Sequence, residues 1–286
     1  MPRALVRAAE REGRTAWLLT LPRTVHKLKD RWGLAVGEPF QPGGSCAWVA
    51  PVRDSTDAEL VLKLAWPHPE ADHEADGLRE WDARDGTVRL QASVELEDAT
   101  ALLIERCIPG TPADSRPERE QDVIVAGLLR RLLRQPAPGH RFRTLQVMCD
   151  MWAEAFEQKP LVMERDLDPG LTREGMALFR SLPGTADQQV LLCTDLHAGN
   201  VLAAEREPWL VIDPKPYVGD PTYDVLQHLL NCRARLMADP RDLVGRMADL
   251  ARVDKDRLAL WLFARCVVES IHRPDLREVA RRLAPG

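Results

Sequence analysis

The sequence predicts an α+β chain of two lobes, an N-terminal antiparallel sheet lobe with one helix and a larger helical C-terminal lobe. Three observations carry this expectation. Short apolar runs with strand character fill the first third, long runs of helical period take over from about residue 116, and alternating β-α units with a GxGxxG turn are absent. The boundary falls near residues 108–116, so the lobes are expected at 1–108 and 109–286.

The elements follow in order. Strands are expected at 34–40, 46–52 and 59–65, the first two separated by the strong turn Gln41-Pro42-Gly43-Gly44-Ser45. Residues 69–83 place Ala71, Ala75, Leu78 and Trp81 at helical spacing, with carboxylates in the first turns, where a helix N-terminus favours them. Two further strands, 87–96 and 101–107, end at the loop 109–112. Helical patterns occupy 120–133, 142–156 and 171–182. Two short apolar runs, 189–194 and 209–212, then flank a polar loop at 195–208, before helices resume at 223–237, 243–251, 256–270 and 274–283.

Composition narrows the function. A chain of 286 residues with 45% apolar content fills a sizeable core. A formal net charge of −5 supplies no global basic field, which argues against nucleic acid or a membrane surface as partner and suits a small cationic substrate. The cysteines at 46, 107, 149, 193, 232 and 266 form no Cys-x-x-Cys pair and read as reduced thiols. No apolar stretch is long enough for a signal peptide or a membrane span, so a cytoplasmic protein, and a monomer, is expected.

The sharpest motif is Thr194-Asp195-Leu196-His197-Ala198-Gly199-Asn200, with Asp and Asn five apart on a loop between apolar strands. It matches the Asp-Leu-x-x-x-Asn part of the kinase catalytic loop, where one loop must aim a carboxylate at an attacking hydroxyl and an amide oxygen at the metal holding the nucleotide phosphates. Trp209-Leu210-Val211-Ile212-Asp213 is an apolar strand ending in an acid that can bind magnesium facing Asn200, with a solvated turn acid as the plain alternative. Lys63 sits inside the apolar run Val61-Leu62-Lys63-Leu64-Ala65, one of only six lysines in the chain. Such a lysine neutralises nucleotide phosphates if a carboxylate orients it. Glu74 on the next helix is placed to do so, with Glu70 and Asp72 as rivals and the wet face of an edge strand as the bland reading. Gly43, Gly44 and Ser45 of the turn, with Glu105 and Cys107 at the end of the fifth strand, are read as further nucleotide-binding positions. Turn, lysine, glutamate, strand end, Asp-x4-Asn loop and strand-end Asp occur in the kinase order.

The run Asp195-Leu-His-Ala-Gly-Asn200-Val-Leu, then Ile212-Asp213-Pro-Lys-Pro, then Gly219-Asp220-Pro-Thr-Tyr-Asp224 resembles the aminoglycoside phosphotransferase family, within it the streptomycin 6-kinase and hydroxyurea kinase group; His73-Glu74-Ala75-Asp76-Gly77-Leu78 is similar to the same group. The resemblance implies a bilobal protein-kinase-like fold, ATP or GTP with Mg2+, Asp195 as catalytic base, Asn200 and Asp213 as metal ligands, and phosphorylation of an antibiotic hydroxyl. Streptomycin, on the 6-hydroxyl of its guanidinated cyclitol, is the expected substrate. Another hydroxylated antibiotic, hydroxyurea, and a non-catalytic binding protein on the same fold are the alternatives. The family usually carries His-Gly before the catalytic Asp; here Cys193-Thr194 stands there.

For a polycationic substrate the expected acids are Asp224 and Glu269, although Asp224 equally suits a loop brace. Asp220 is expected to cap the following helix and to accept amide hydrogen bonds from the catalytic loop. His197 has no partner at ligand spacing and reads as a hydrogen-bonded brace.

Overall fold

The structure, a computed structural model, describes residues 1–69, 72–82, 86–158 and 167–285. The chain divides into two compact units, Met1–Gly110 with Ala203–Leu210, and Thr111–Leu202 with Val211–Gly286.

The first unit is built on a five-stranded antiparallel sheet in the order β1-β2-β3-β5-β4. Its strands are β1 (Ala35–Val36), β2 (Ala47–Arg53), β3 (Glu59–Ala65), β4 (Leu90–Glu95) and β5 (Thr100–Glu105), with the helix Glu74–Trp81 between β3 and β4. β3 is central, paired with β2 on one side and β5 on the other. Side chains alternate across a strand, so Leu60, Leu62 and Leu64 enter one core while Lys63 faces the opposite side.

That core holds the main correction to the expected fold, because the described residues of the first unit form three helices rather than one. α1 (Arg3–Arg11) and α2 (Thr15–Trp32) precede the sheet, and the helix at Glu74–Trp81 is therefore α3. Leu5, Ala8, Ala9, Trp17, Leu21 and Leu28 of α1 and α2 pack with Trp48, Leu62, Leu64, Trp66 and Leu103. Trp17 meets Trp66 edge to face at 5.4 Å between ring centroids, an arrangement favoured by the ring quadrupoles.

In the second unit β7 (Val190–Leu192) pairs antiparallel with β10 (Tyr217–Gly219), Leu191 opposite Val218. This ribbon sets the site, because the catalytic motif leaves the end of β7 and the Gly-Asp-Pro motif leaves the end of β10. A Cβ at Gly219 would stand 2.4 Å from Leu145 Cβ, so only glycine lets this strand end approach the helix that carries Leu145. Short strands β6 (Pro109–Pro112), β8 (Val201–Ala204) and β9 (Leu210–Val211) lie where the chain passes from one unit to the other.

Helices α4 (Glu118–Leu132), α5 (Leu145–Glu157), α6 (Pro169–Ser181), α9 (Pro240–Ala251), α10 (Lys255–Glu269) and α11 (Leu276–Leu283) lie within a few residues of the expected patterns. The pattern at 223–237 is instead divided into a 3-10 turn Pro221–Val225, α7 (Leu226–Asn231) and α8 (Arg233–Ala238). Leu226, Leu229, Leu230 and Leu236 are buried on both sides of the break at Cys232, so helical spacing persists across it. α10 buries nine residues and forms the axis of the unit. Asp122 of α4, fully buried, receives two hydrogen bonds from Arg235 at 3.0 and 2.9 Å, one from Arg246 at 2.6 Å, and lies 3.0 Å from His228 Nε2. One carboxylate thus joins α4, α7, α8 and α9.

Candidate active site

Lys63 is 8% exposed, and its Nζ lies 2.7 and 2.6 Å from the two oxygens of Glu74, itself 3% exposed. A central strand excludes the wet-edge reading. A buried ammonium is tolerated only when paired, and the bidentate contact gives it that partner. Asp72 is exposed, and Glu70 lies outside the described residues.

The glycine turn is anchored to the amino terminus. Gly43 has φ +81°, and a Cβ there would meet Pro2 Cβ at 2.4 Å; Ala4 N donates to Pro42 O at 3.0 Å. The need for glycine at 43 is therefore met by packing alone, while Gly44 and Ser45 are exposed. Glu105 is engaged elsewhere, since Arg206 Nε and Nη2 donate to its two oxygens at 2.9 and 2.8 Å and Arg89 N donates at 3.0 Å. Burial raises this carboxyl, but the Arg206 and Arg89 hydrogen bonds outweigh it and hold the group below its ordinary range. Burial, with the Glu105 charge, pushes the Cys107 thiol up to about 12, which leaves it protonated and unreactive.

In the second unit the loop that carries Asp195 and Asn200 is held by Asp224 and Lys215. Thr194 has φ +51°, unusual for a β-branched residue. It is held there because Thr194 N donates to Asp224 Oδ1 at 2.6 Å, Cys193 N donates to Asp224 Oδ2 at 2.8 Å, and Thr194 Oγ1 donates to Lys215 O at 2.6 Å. Asp195 is the next residue. Its Oδ2 lies 2.7 Å from Lys215 Nζ, and Asn200 Nδ2 donates to its carbonyl at 3.0 Å. Ile212 N donates to Asn200 O at 2.9 Å, which sets Asp213 beside the motif, with φ +54°.

Asp195, Asn200 and Asp213 are thus brought together on two braced segments. The donor set suits magnesium: the amide nitrogen of Asn200 is turned to a carbonyl, leaving its oxygen for another partner, and Asp213 supplies a half-buried carboxylate. Hard oxygen donors in small number are what this ion takes from a protein. His197 Nδ1 accepts from Gly199 N at 3.1 Å, and burial lowers its pKa, so the ring is neutral and acts as a brace.

Two expectations need correction. Asp224 is not available to a substrate: it is 3% exposed and both oxygens accept loop amides. Asp220 does not brace the loop. Its Oδ1 accepts from Thr222 N at 2.9 Å, as a cap does, and its Oδ2 accepts from Trp261 Nε1 and Arg257 Nε, each at 2.6 Å. Asp220 keeps the cap, and the bracing falls to Asp224 alone, because the loop amides face the 3-10 turn at its fourth residue and not at its cap. Glu269, 21% exposed at its side chain, accepts from Arg265 Nε at 2.6 Å and lies 3.9 Å from Arg273. Arg265 in turn donates to the Tyr223 hydroxyl and lies over the Trp152 ring at 3.8 Å.

The sequence shows Pro214-Lys215 where protein kinases have Phe-Gly but assigns Lys215 no role; the structure places its ammonium against Asp195.

An aspartate and an asparagine on one loop and a strand-end carboxylate in the second unit, with a strand lysine ion-paired to a helix glutamate in the first, follow the kinase order and mark a kinase of the protein-kinase-like fold. Residues 31–275 match the model of the aminoglycoside/hydroxyurea antibiotic resistance kinase family, and the chain belongs to that family. The streptomycin 6-kinase of Streptomyces glaucescens is 33% identical over 290 residues, covering 98% of this chain and 91% of that protein. The hydroxyurea phosphotransferase of Kitasatospora aureofaciens is 36% identical over 268 residues, covering 91% and 75%. Among solved structures, an aminoglycoside phosphotransferase of Streptomyces rimosus in complex with ADP and streptomycin shares the fold, with TM-score 0.55, 19% identity and coverage of 91% and 98%. The choline kinase LicA of Streptococcus pneumoniae does so with TM-score 0.61, 10% identity and coverage of 91% and 95%. Among the described residues no helix is long and apolar enough to cross a membrane.

Proposed function

We propose that this kinase transfers the γ-phosphoryl group of ATP, with Mg2+, to the 6-hydroxyl of streptomycin, and so confers resistance by inactivating the drug. The observation that carries the substrate is the 33% identity to a streptomycin 6-kinase across 98% of the chain. Asp195 accepts the proton of the attacking hydroxyl, and Lys63, oriented by Glu74, neutralises the nucleotide phosphates. Asn200 and Asp213 would hold the magnesium, which supplies charge neutralisation at the phosphates. Main-chain atoms, rather than the Glu105 carboxylate, would meet the nucleotide near Cys107. Of the two acids expected at a cationic substrate, Glu269 remains the candidate. A monomer working in the cytoplasm, where nucleotide is at hand, belongs to the same reading.

The 36% identity to a hydroxyurea phosphotransferase favours a second reading, in which the acceptor is the hydroxyl of hydroxyurea. Purified protein with ATP or GTP and magnesium decides between them. Nucleoside diphosphate release on adding streptomycin, with one phosphoryl group gained by the drug in mass spectrometry, is expected. Release with hydroxyurea alone would replace the first reading by the second. Binding of nucleotide without turnover on either compound would reject both in favour of a non-catalytic protein.

A further inference from the structure

The ion pair between Lys215 and Asp195 gives the reacting loop a cation that the kinase motif does not include. We propose that Lys215 is a further catalytic residue, whose ammonium hydrogen-bonds the transferring phosphoryl group during the reaction. The proposal rests on the kinase reading of Asp195 but not on the identity of the antibiotic.

Lys215 Nζ lies 2.7 Å from Asp195 Oδ2, and the Lys215 side chain is one quarter exposed, so the ammonium is at the edge of solvent and not buried behind the base. A general base stands about 3 Å from the hydroxyl it deprotonates, and that hydroxyl stands about 3–3.5 Å from phosphorus in a reactive pose. A group already bonded to the base is therefore within a side-chain adjustment of the phosphoryl oxygens. The lysine stem is anchored at both main-chain ends, by Lys215 N donating to Cys193 O at 2.9 Å and Lys215 O accepting from Thr194 Oγ1 at 2.6 Å. These bonds tie it to the two residues that precede Asp195, so base and ammonium move together.

The charges around the loop point the same way. Asp220 is paired with Arg257 at 2.6 Å and Asp224 accepts two amides, while the partner of Asp195 is an ammonium. In the reaction the substrate O–H proton passes to Asp195, the new O–P bond forms, and the bond from phosphorus to the β-phosphate oxygen breaks to release the nucleoside diphosphate. Asp195 loses its negative charge as it takes the proton, which weakens its hold on Lys215 at the moment when charge builds on the phosphoryl oxygens. The ammonium then has a stronger partner in the phosphoryl group than in the base. Lys215 is thus held by the base before transfer and bonds the phosphoryl group during it.

The test compares Lys215→Met, Lys215→Arg and Asp195→Asn in binding ADP alone and ADP with aluminium fluoride, an analogue of the transferring phosphoryl group, in the presence of magnesium and without antibiotic. Lys215→Met should bind ADP within threefold of wild type but the fluoride complex at least tenfold more weakly, Lys215→Arg should recover most of that loss, and Asp195→Asn should hold the complex within threefold. Turnover by Lys215→Met should fall about 10²–10³-fold in kcat, the loss typical of removing one transition-state donor. Thermal unfolding of each variant shows whether it folds, and Lys215→Arg keeps the test open if Lys215→Met does not. Wild-type affinity of Lys215→Met for the fluoride complex would overturn the proposal, as would equal losses in Lys215→Met and Asp195→Asn, which would make Lys215 only a positioning residue for the base. Because no antibiotic is present in the binding measurements, a wrong substrate assignment leaves their outcomes unchanged.

Discussion

Replacing Asp224 by Asn changes one oxygen into an NH2 group and leaves shape almost untouched. In the native protein both oxygens accept main-chain amides, from Cys193 N at 2.8 Å and Thr194 N at 2.6 Å. Burial raises the carboxyl from 3.8 to about 6 even though those two hydrogen bonds lower it. Keeping the group ionised at pH 7 therefore costs about 3 kcal/mol, and Asn escapes that cost. Against this, Asn sets a donor against an amide donor, a loss of about 1–3 kcal/mol. The two terms offset, so the unfolding free energy should change by less than about 2 kcal/mol. Catalysis should not be spared, since Thr194 at φ +51° would lose the contact that holds it and Asp195 follows it directly. A misplacement of about 1 Å is enough for a loss on the order of 10²-fold in kcat.

The pH dependence separates the same two quantities. A carboxyl raised in the native state keeps its proton between pH 3.8 and about 6 while the unfolded chain has lost it. Its contribution to stability is therefore fully present below 3.8 and is lost as pH rises through about 6. Activity runs the other way, because the protonated acid presents an O–H to an amide N–H. Wild type should show an acid limb in kcat near pH 6 with no matching loss in urea stability, and in Asp224→Asn that limb should be absent from the residual rate. Near-normal kcat in a folded Asp224→Asn protein would refute the bracing role; so would a loss of kcat fully explained by unfolding.

Asp195→Asn should abolish phosphoryl transfer while nucleotide binding by calorimetry stays close to wild type, and near-normal turnover would remove Asp195 as the base. Glu74→Gln removes the carboxylate that pairs with buried Lys63 through both oxygens, so it should lose about 3 kcal/mol of stability. Nucleotide phosphates would restore the missing charge, so the rise in Tm on adding ATP should be larger in Glu74→Gln than in wild type. Asp122→Asn should destabilise the second unit by about 3 kcal/mol at pH 7 in urea titrations. Burial would raise the Asp122 carboxyl, but His228, Arg235 and Arg246 outweigh it and hold it well below the carboxylate range. Its contribution is present above the unfolded value and lost as the pH falls through the native one, so the gap to wild type should narrow below about pH 4.

What the sequence disclosed was whatever a short window carries. β3 came out at its observed bounds because Leu60, Leu62 and Leu64 face one core while Val61 and Ala65 are buried on the other side, leaving a continuous apolar run. The helix before the sheet did not, because α2 has Pro22 inside it and only Trp17, Leu21 and Leu28 fully buried along 18 residues. A proline in mid-run reads as a break, and the stripe is thin until tertiary packing completes it. In the site, Asp195, Asn200 and Asp213 were legible because a motif fixes their spacing. The cap at Asp220 was legible too, but the choice of Asp224 as the loop brace and the pairing of Lys215 with Asp195 were not, since each depends on which amide or carboxylate another segment presents. Asp122 shows the same limit: it takes its partners from residues 106 to 124 positions away.

The pair Cys193-Thr194 can now be understood through the bonds around it. Where the family usually has His-Gly, glycine would adopt the left-handed conformation at no cost, whereas a β-branched residue there costs about 1–3 kcal/mol. Threonine brings something that glycine lacks, a hydroxyl that donates to Lys215 O at 2.6 Å. That bond contributes about 1 kcal/mol and is matched by Lys215 N donating to Cys193 O at 2.9 Å. The loop and the Asp-Pro-Lys segment are therefore tied twice, at the two residues that precede Asp195. Burial holds the Cys193 thiol protonated, well above the ordinary value. Its amide is fixed by Asp224. The loop is held by a buried carboxylate, which accepts its main-chain amides, and by a threonine hydroxyl. The same two contacts hold Asp195 and bring Lys215 against it, so the departure from the family motif and the added cation belong to one arrangement.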